Sequence, residues 1–200
     1  VGGYGRGELS PGSDLDILIL HNGKIAQEKL QAIVNDVLYP LWERNSVDHS
    51  VRTRSETRES AASDLRVATG LLDIRLIAGN PDLVAAVQGD SLEYWRKNTK
   101  QNLPELERSL SERHVRAGEL AYLLEPDLKE ARGGLRDIQA LRAIASSGAI
   151  HVPLEKISWA ESTLNNVREA LHTASGRGKN RLLFQEQDKV AKILEYKNAD

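Results

Sequence analysis

Two aspartates interrupt an apolar run, Asp14-Leu15-Asp16-Ile17-Leu18-Ile19-Leu20, and five glycines, Gly2, Gly3, Gly5, Gly7 and Gly12, crowd the residues before it. Few folds accept that combination. The glycines predict a flexible loop and the apolar run a buried strand. Strand side chains alternate between faces, so Asp14 and Asp16 are expected on one face, with Leu15 and Ile17 opposite. Adjacent carboxylates repel each other, which is costly in an apolar strand unless a cation lies between them. Hard oxygen ligands of this kind suit Mg²⁺, which takes one or two protein carboxylates together with substrate phosphates. The plain alternative is that Ser13 and Asp14 form a turn while Asp16 stays solvated at a strand edge.

From Lys24 to Arg44, apolar residues recur at intervals of three and four, predicting an amphipathic helix. Ser46 to Thr53 alternates, which predicts a second strand with Val47, His49 and Val51 facing inward and Asp48, Ser50 and Arg52 opposite. Later signals are helical. Ser63 is a candidate cap for a helix ending at Gly79, and Asn80-Pro81 starts another. Leu92 to Leu124 reads as one or two long helices broken near Pro104, and further stripes follow Gly134, Pro153 and Arg181. The expected fold class is α+β: a small mixed-sheet domain at 1–90, followed by an α-helical bundle at 91–200.

Charge excludes some functions. Lysine and arginine against aspartate and glutamate give 27 − 29 = −2, split 12 to 14 in residues 1–100 and 15 to 15 in 101–200. Neither half is a polyanion-binding tail, so no nucleic-acid partner is expected. The absence of cysteine excludes a disulfide framework, a cysteine zinc site and a thiol nucleophile. None of the five histidines is followed by aspartate, and no H-E-x-x-H occurs. No apolar run nears the ~20 residues that span a bilayer, and no leader opens the chain, so the expectation is a cytoplasmic protein without a membrane partner. Methionine is absent even at position 1, so the chain reads as a fragment of a longer protein.

The Gly2-Gly3 pair lies eleven residues before Asp14. Glycine lets backbone N–H groups approach phosphate oxygens closely. Asp48 supplies a third carboxylate from another strand. Three carboxylates facing a triphosphate are the minimal apparatus for two-metal phosphoryl or nucleotidyl transfer. Neither G-x-x-x-x-G-K-[ST] nor G-x-G-x-x-G is present.

Gly2-Gly3-Tyr4-Gly5-Arg6-Gly7-Glu8-Leu9 followed by Ser13-Asp14-Leu15-Asp16 resembles the signature of the DNA polymerase β-like nucleotidyltransferase superfamily. Within it, the chain resembles the bacterial uridylyltransferases that modify the nitrogen-signalling P-II protein. Asp48-His49-Ser50-Val51-Arg52-Thr53, Pro126-Asp127-Leu128-Lys129 with Gly133-Gly134-Leu135-Arg136-Asp137-Ile138, and Arg181-Leu182-Leu183-Phe184 with Gln187 are similar to the same family.

The resemblance implies that Asp14, Asp16 and Asp48 hold two Mg²⁺ ions with the bound nucleoside triphosphate. Gly2 and Gly3 would sit against the triphosphate, with Arg6 and Ser13 as further nucleotide contacts. Asp73 is the rival third acid, but its surroundings favour an intrahelical or interdomain ion pair. Lys129 and Arg136 would point into a cleft between the lobes and neutralise triphosphate charge, with Asp137 a weaker candidate. Against that stands a simple helix junction at Gly133-Gly134. Arg52, Arg54 and Arg58 form a small basic cluster of the kind commonly solvated, and Asn180 stands where the family leads one to expect an acid. The implied reaction moves UMP from UTP to a tyrosine hydroxyl of P-II and releases pyrophosphate. The alternatives are an adenylyltransferase using ATP on P-II or on glutamine synthetase, and a noncatalytic nucleotide-sensing module. In the full-length family a uridylyl-removing domain and glutamine-sensing domains follow, both outside this chain.

Overall fold

A computed structural model describes residues 1–198 and divides into two compact units. Unit 1 holds Val1–Leu9 and Ser13–Asn98; unit 2 holds Ser10–Gly12 and the chain from Thr99 onward. The boundary expected at residue 90 falls inside a helix that continues to Lys97, and the units part just after it, between Asn98 and Thr99.

Unit 1 begins with α1 (Gly2–Arg6), β1 (Leu15–His21), α2 (Gln27–Trp42) and β2 (Val47–Thr53). A 16-residue helix is long enough to carry the chain back to the same end of the sheet, so β2 pairs parallel to β1. The sheet expected to be mixed has, among the described residues, these two parallel strands. Helix α2 buries Leu30, Val34 and Leu38, spaced by four, against Ile17, Ile19, Val47 and Val51. Since α2 covers one face, every β1 residue is only partly buried, not fully as expected. The glycine segment, expected as a loop, is instead the single turn α1, ended by Gly7 at φ +76°.

Helix α3 (Arg54–Ser63) follows directly on β2, where the sequence offers no apolar stripe. Thr53 caps it: its side chain accepts from Glu56 N, and Glu56 reaches back to Thr53 N at 2.7 Å. Asp64, not Ser63, caps α4 (Leu65–Gly70), accepting from Arg66 N at 2.7 Å. The helix expected to reach Gly79 stops at Gly70, and a 3-10 turn (Leu71–Asp73) leads into an extended segment with Leu76 and Ile77 exposed. Asn80 caps α5 (Pro81–Lys97) as expected, accepting from Asp82 N and Leu83 N.

Unit 2 contains α6 (Thr99–Ala117), α7 (Leu135–Ser147), α8 (Ser158–Ser175) and α9 (Phe184–Ile193). The break expected near Pro104 comes at Asn98; Pro104 sits inside α6, where its missing amide removes one helical hydrogen bond. Helix α8 packs against α9, and α7 against α6 and α8. Leu128, Ala170, Leu171 and Val190 form a core. Two irregular segments meet in a short antiparallel bridge, Asp127 with Arg181, flanked by Leu128 N donating to Asn180 O and Leu182 N to Pro126 O, both at 2.9 Å. Among the described residues no helix is long and apolar enough to cross a membrane.

Candidate active site

The strand register sets Asp16 directly opposite Asp48, with Leu15 opposite Val47 and Ile17 opposite His49. Paired parallel strands lie about 4.8 Å apart, so the two aspartates are neighbours on the face turned away from α2. Helix α1 reaches the same place. Gly2 has φ +56°, and a Cβ built on it would stand 3.0 Å from Asp16 Oδ2. Glycine is required there twice over, by backbone conformation and by the approach to the carboxylate. Asp14 is exposed and precedes the first strand residue, so the alternation expected to align it with Asp16 starts one residue too late. Among the described residues no three His, Cys, Asp or Glu side chains come together as a metal-holding group. The donors of the Asp16–Asp48 pair nevertheless suit Mg²⁺, whose usual protein share is one or two carboxylates.

The 71–75 segment fixes α1. A Cβ on Gly5 would fall 1.7 Å from Asp73 O, so α1 lies directly on that backbone. Arg6, expected on the nucleotide, is largely buried and donates to Glu8 Oε2 at 2.6 Å and to Asp73 Oδ2. Arg75 donates to Tyr4 O at 2.8 Å and lies 5.1 Å from the Tyr4 ring centroid. Asp73 is thus ion-paired, but to α1 of its own unit and not within a helix or to another domain. Gly3 has room around it, with Arg6 Nη2 at 3.9 Å from a built Cβ, and Ser13 is partly buried just before β1. His49, expected to pack inward, is exposed and meets the Trp42 ring edge-on at 5.5 Å.

In unit 2 the Pro126–Asp137 segment folds over the start of α7. Asp127 Oδ1 accepts from Lys129 N at 2.9 Å and Glu130 N at 2.8 Å. Leu128 O and Lys129 O accept from Leu135 N and Arg136 N, both at 3.0 Å, so loop carbonyls satisfy amides that a helix start leaves unpaired. A Cβ on Gly134 would lie 2.8 Å from both Leu128 O and Ala131 O, and Gly133 has φ +88°. Asp137 gathers Gly133 N at 2.6 Å, His114 Nε2 at 2.9 Å and the Arg113 guanidinium. Burial alone would raise its carboxyl, but hydrogen bonds from Gly133, His114 and Arg113 hold it below the ordinary aspartate value. Arg136 is half-exposed, with Glu130 Oε1 at 3.3 Å and Gln139 Oε1 at 3.2 Å. Lys129 is partly buried. Arg113 and His114 were missed in the sequence because no motif marks a cation whose partner lies 24 residues on. Arg54 and Arg58 both converge on Asp90, with Arg54 bidentate at 2.5 and 2.6 Å, joining α3 to α5.

Residues 1–60 match the nucleotidyltransferase domain, and residues 101–149 and 150–200 match the GlnD PII-uridylyltransferase family. Over 201 residues the chain is 50% identical to a bifunctional uridylyltransferase/uridylyl-removing enzyme of Streptomyces coelicolor, covering 100% of this chain and 24% of that protein. An enzyme of the same name from Mycobacterium tuberculosis is 42% identical over 203 residues, covering 97% and 25%. One from Vibrio campbellii is 38% identical over 213 residues, covering 98% and 24%. The chain therefore spans about a quarter of the length of these relatives. No solved structure matches it. The carboxylate strand and the glycine turn lie in the first matched region, the Asp137 junction in the second, and the two segments of that second match make up half of the sequence: the chain belongs to the GlnD PII-uridylyltransferase family.

Proposed function

We propose that the chain transfers UMP from UTP to a tyrosine hydroxyl of the P-II nitrogen regulatory protein and releases pyrophosphate. The observation that carries this reading is the register pair Asp16 and Asp48, set on the sheet face that Gly2 approaches. The phenol loses its proton to water and its oxygen attacks the α-phosphorus of UTP while the bond to the bridging oxygen of the leaving pyrophosphate breaks. Asp14, Asp16 and Asp48 would hold Mg²⁺, which when bound neutralises triphosphate charge and activates the acceptor hydroxyl. The glycine turn contributes backbone N–H groups with no side chain in the way, the geometry that phosphate oxygens accept. Ser13 adds a hydroxyl beside the first carboxylate. Arg6 acts indirectly, holding α1 through Glu8 and Asp73.

Incubating the chain with radiolabelled UTP or ATP, Mg²⁺ and purified P-II tests the proposal. Label from UTP should appear on a P-II tyrosine. Label from ATP alone would make the chain an adenylyltransferase, and binding of either nucleotide without transfer would make it a sensing module.

A further inference from the structure

Between α1 and β1, Ser10–Gly12 belong to unit 2, and the side chains that hold them lie on α8. Ser10 Oγ accepts from Arg168 Nη1 at 3.1 Å, and Arg168 Nε donates to Asn180 Oδ1 at 2.7 Å. Gly12 N donates to His172 Nδ1 at 3.2 Å. Arg168 and His172 are four residues apart on one helix face and are 8% and 2% exposed. Gly12 and Gly178 touch backbone to backbone: a Cβ on Gly178 would fall 2.0 Å from Gly12 O, and one on Gly12 would fall 2.4 Å from Gly178 Cα. Asn180 is fixed in turn, its carbonyl accepting from Leu128 N.

Burying an arginine and a histidine is costly unless their polar atoms are matched. Here Ser10 and Gly12, four and two residues before Asp14, supply part of that matching, and Asn180 supplies another part. On the other side, Leu15 N donates to Ser46 O at 2.9 Å. Asp14 therefore lies between two anchored amides, Gly12 N and Leu15 N, while the strand pairing itself begins only after it.

We propose that Arg168 and His172 are positioning residues for Asp14, fixing the backbone at Ser10 and Gly12 that leads into it. The inference rests on the nucleotidyl-transfer reading above. His172 must accept through Nδ1, so the ring is neutral with its proton on Nε2, an atom buried without a hydrogen-bond partner. An asparagine can keep the acceptor in place of Nδ1; a leucine cannot.

The test uses the full chain with His172→Leu, His172→Asn, Ser10→Ala and Gly178→Ala, each checked for folding by circular dichroism. Hydrogen exchange reads the clamp directly. In His172→Leu the Gly12 amide should exchange faster while β1 amides keep wild-type protection, and His172→Asn should restore it. Misplacing a catalytic group by about 1 Å can cost on the order of 100-fold, so kcat for transfer from UTP to P-II should fall by that order in His172→Leu and Gly178→Ala. KM for UTP should change by less than about threefold, because a positioning defect acts mainly in the transition state. Ser10→Ala should show a smaller loss of the same kind. Unchanged Gly12 protection in folded His172→Leu overturns the proposal, as does released protection with wild-type kcat. A wild-type chain that transfers no label while Gly12 stays protected overturns the transfer reading and the catalytic role with it, leaving the clamp as structure alone.

Discussion

At the scale of single residues, charge decides most. Asp16 and Asp48 stand in register, and like charges directly opposite each other destabilise a strand pair. Asp48→Asn should therefore abolish most label transfer while leaving thermal stability unchanged or raised by up to about 1 kcal/mol. Asp73→Asn should do the opposite. It takes the negative charge from the partner of the largely buried Arg6, leaving that guanidinium less well compensated, and should lower the melting temperature while sparing turnover of the folded protein. Measuring both variants for kcat and unfolding midpoint decides which aspartate is the third acid; the reverse pattern moves that role to Asp73. His172 makes a separate prediction. Burial first, then the Arg168 and Lys129 charges, lower its pKa. A histidine with a lowered folded value binds its proton more readily when unfolded, so its stabilising contribution is complete above its ordinary pKa of 6.5 and is lost as pH falls below it. Urea unfolding between neutral and mildly acidic pH should show that slope in the wild type and a flatter one in His172→Asn.

At the scale of elements, the α7 junction and the cations beside it make distinguishable predictions. Gly134→Ala would drive a methyl group against three carbonyl oxygens, at 2.8, 2.8 and 3.1 Å, and should cost about 1–3 kcal/mol, the range for overpacking. Asp137 stabilises the junction above the ordinary aspartate pKa of 3.8, and that contribution disappears as pH falls through its lowered folded value. Lys129→Ala and Arg136→Ala touch none of the backbone bonds that build the junction. If these side chains bind triphosphate, each should weaken a nonhydrolysable UTP analogue by about 1.5–3 kcal/mol in titration calorimetry, with little change in melting temperature. Wild-type affinity in both would leave the segment as a helix junction.

At the scale of the molecule, the chain leaves unit 1 after Leu9 and re-enters it at Ser13. Unit 1 has its own buried side chains, Leu38 and Trp95 among them, both 0% exposed. A fragment ending at Asn98 should therefore keep helical circular dichroism and exchange protection in β1 and β2. It lacks Arg168, His172 and Gly178, so its Gly12 amide should exchange freely and it should transfer no label. Robust transfer by the fragment would show that unit 1 is sufficient.

Elements with a strong local signal were legible in the sequence. The α2 stripe, the two strands and the start of α7 follow from periodicity, and the Asn80 cap of α5 from capping chemistry, both of which act within a few residues. The glycine-then-carboxylate motif likewise belongs to the sequence, because side-chain chemistry and backbone freedom are local properties. Tertiary structure alone decided the rest. The polar helix α3 has no apolar stripe to announce it; the strand direction depends on the α2 crossover; and Arg6 meets Asp73, a partner 67 positions away. His172 reads as one more helix residue until Gly12, 160 positions distant, is brought to its Nδ1. Hydrogen bonds and ion pairs of that kind are selected by the packing of the whole chain, and nothing in the residues on either side of them records the choice.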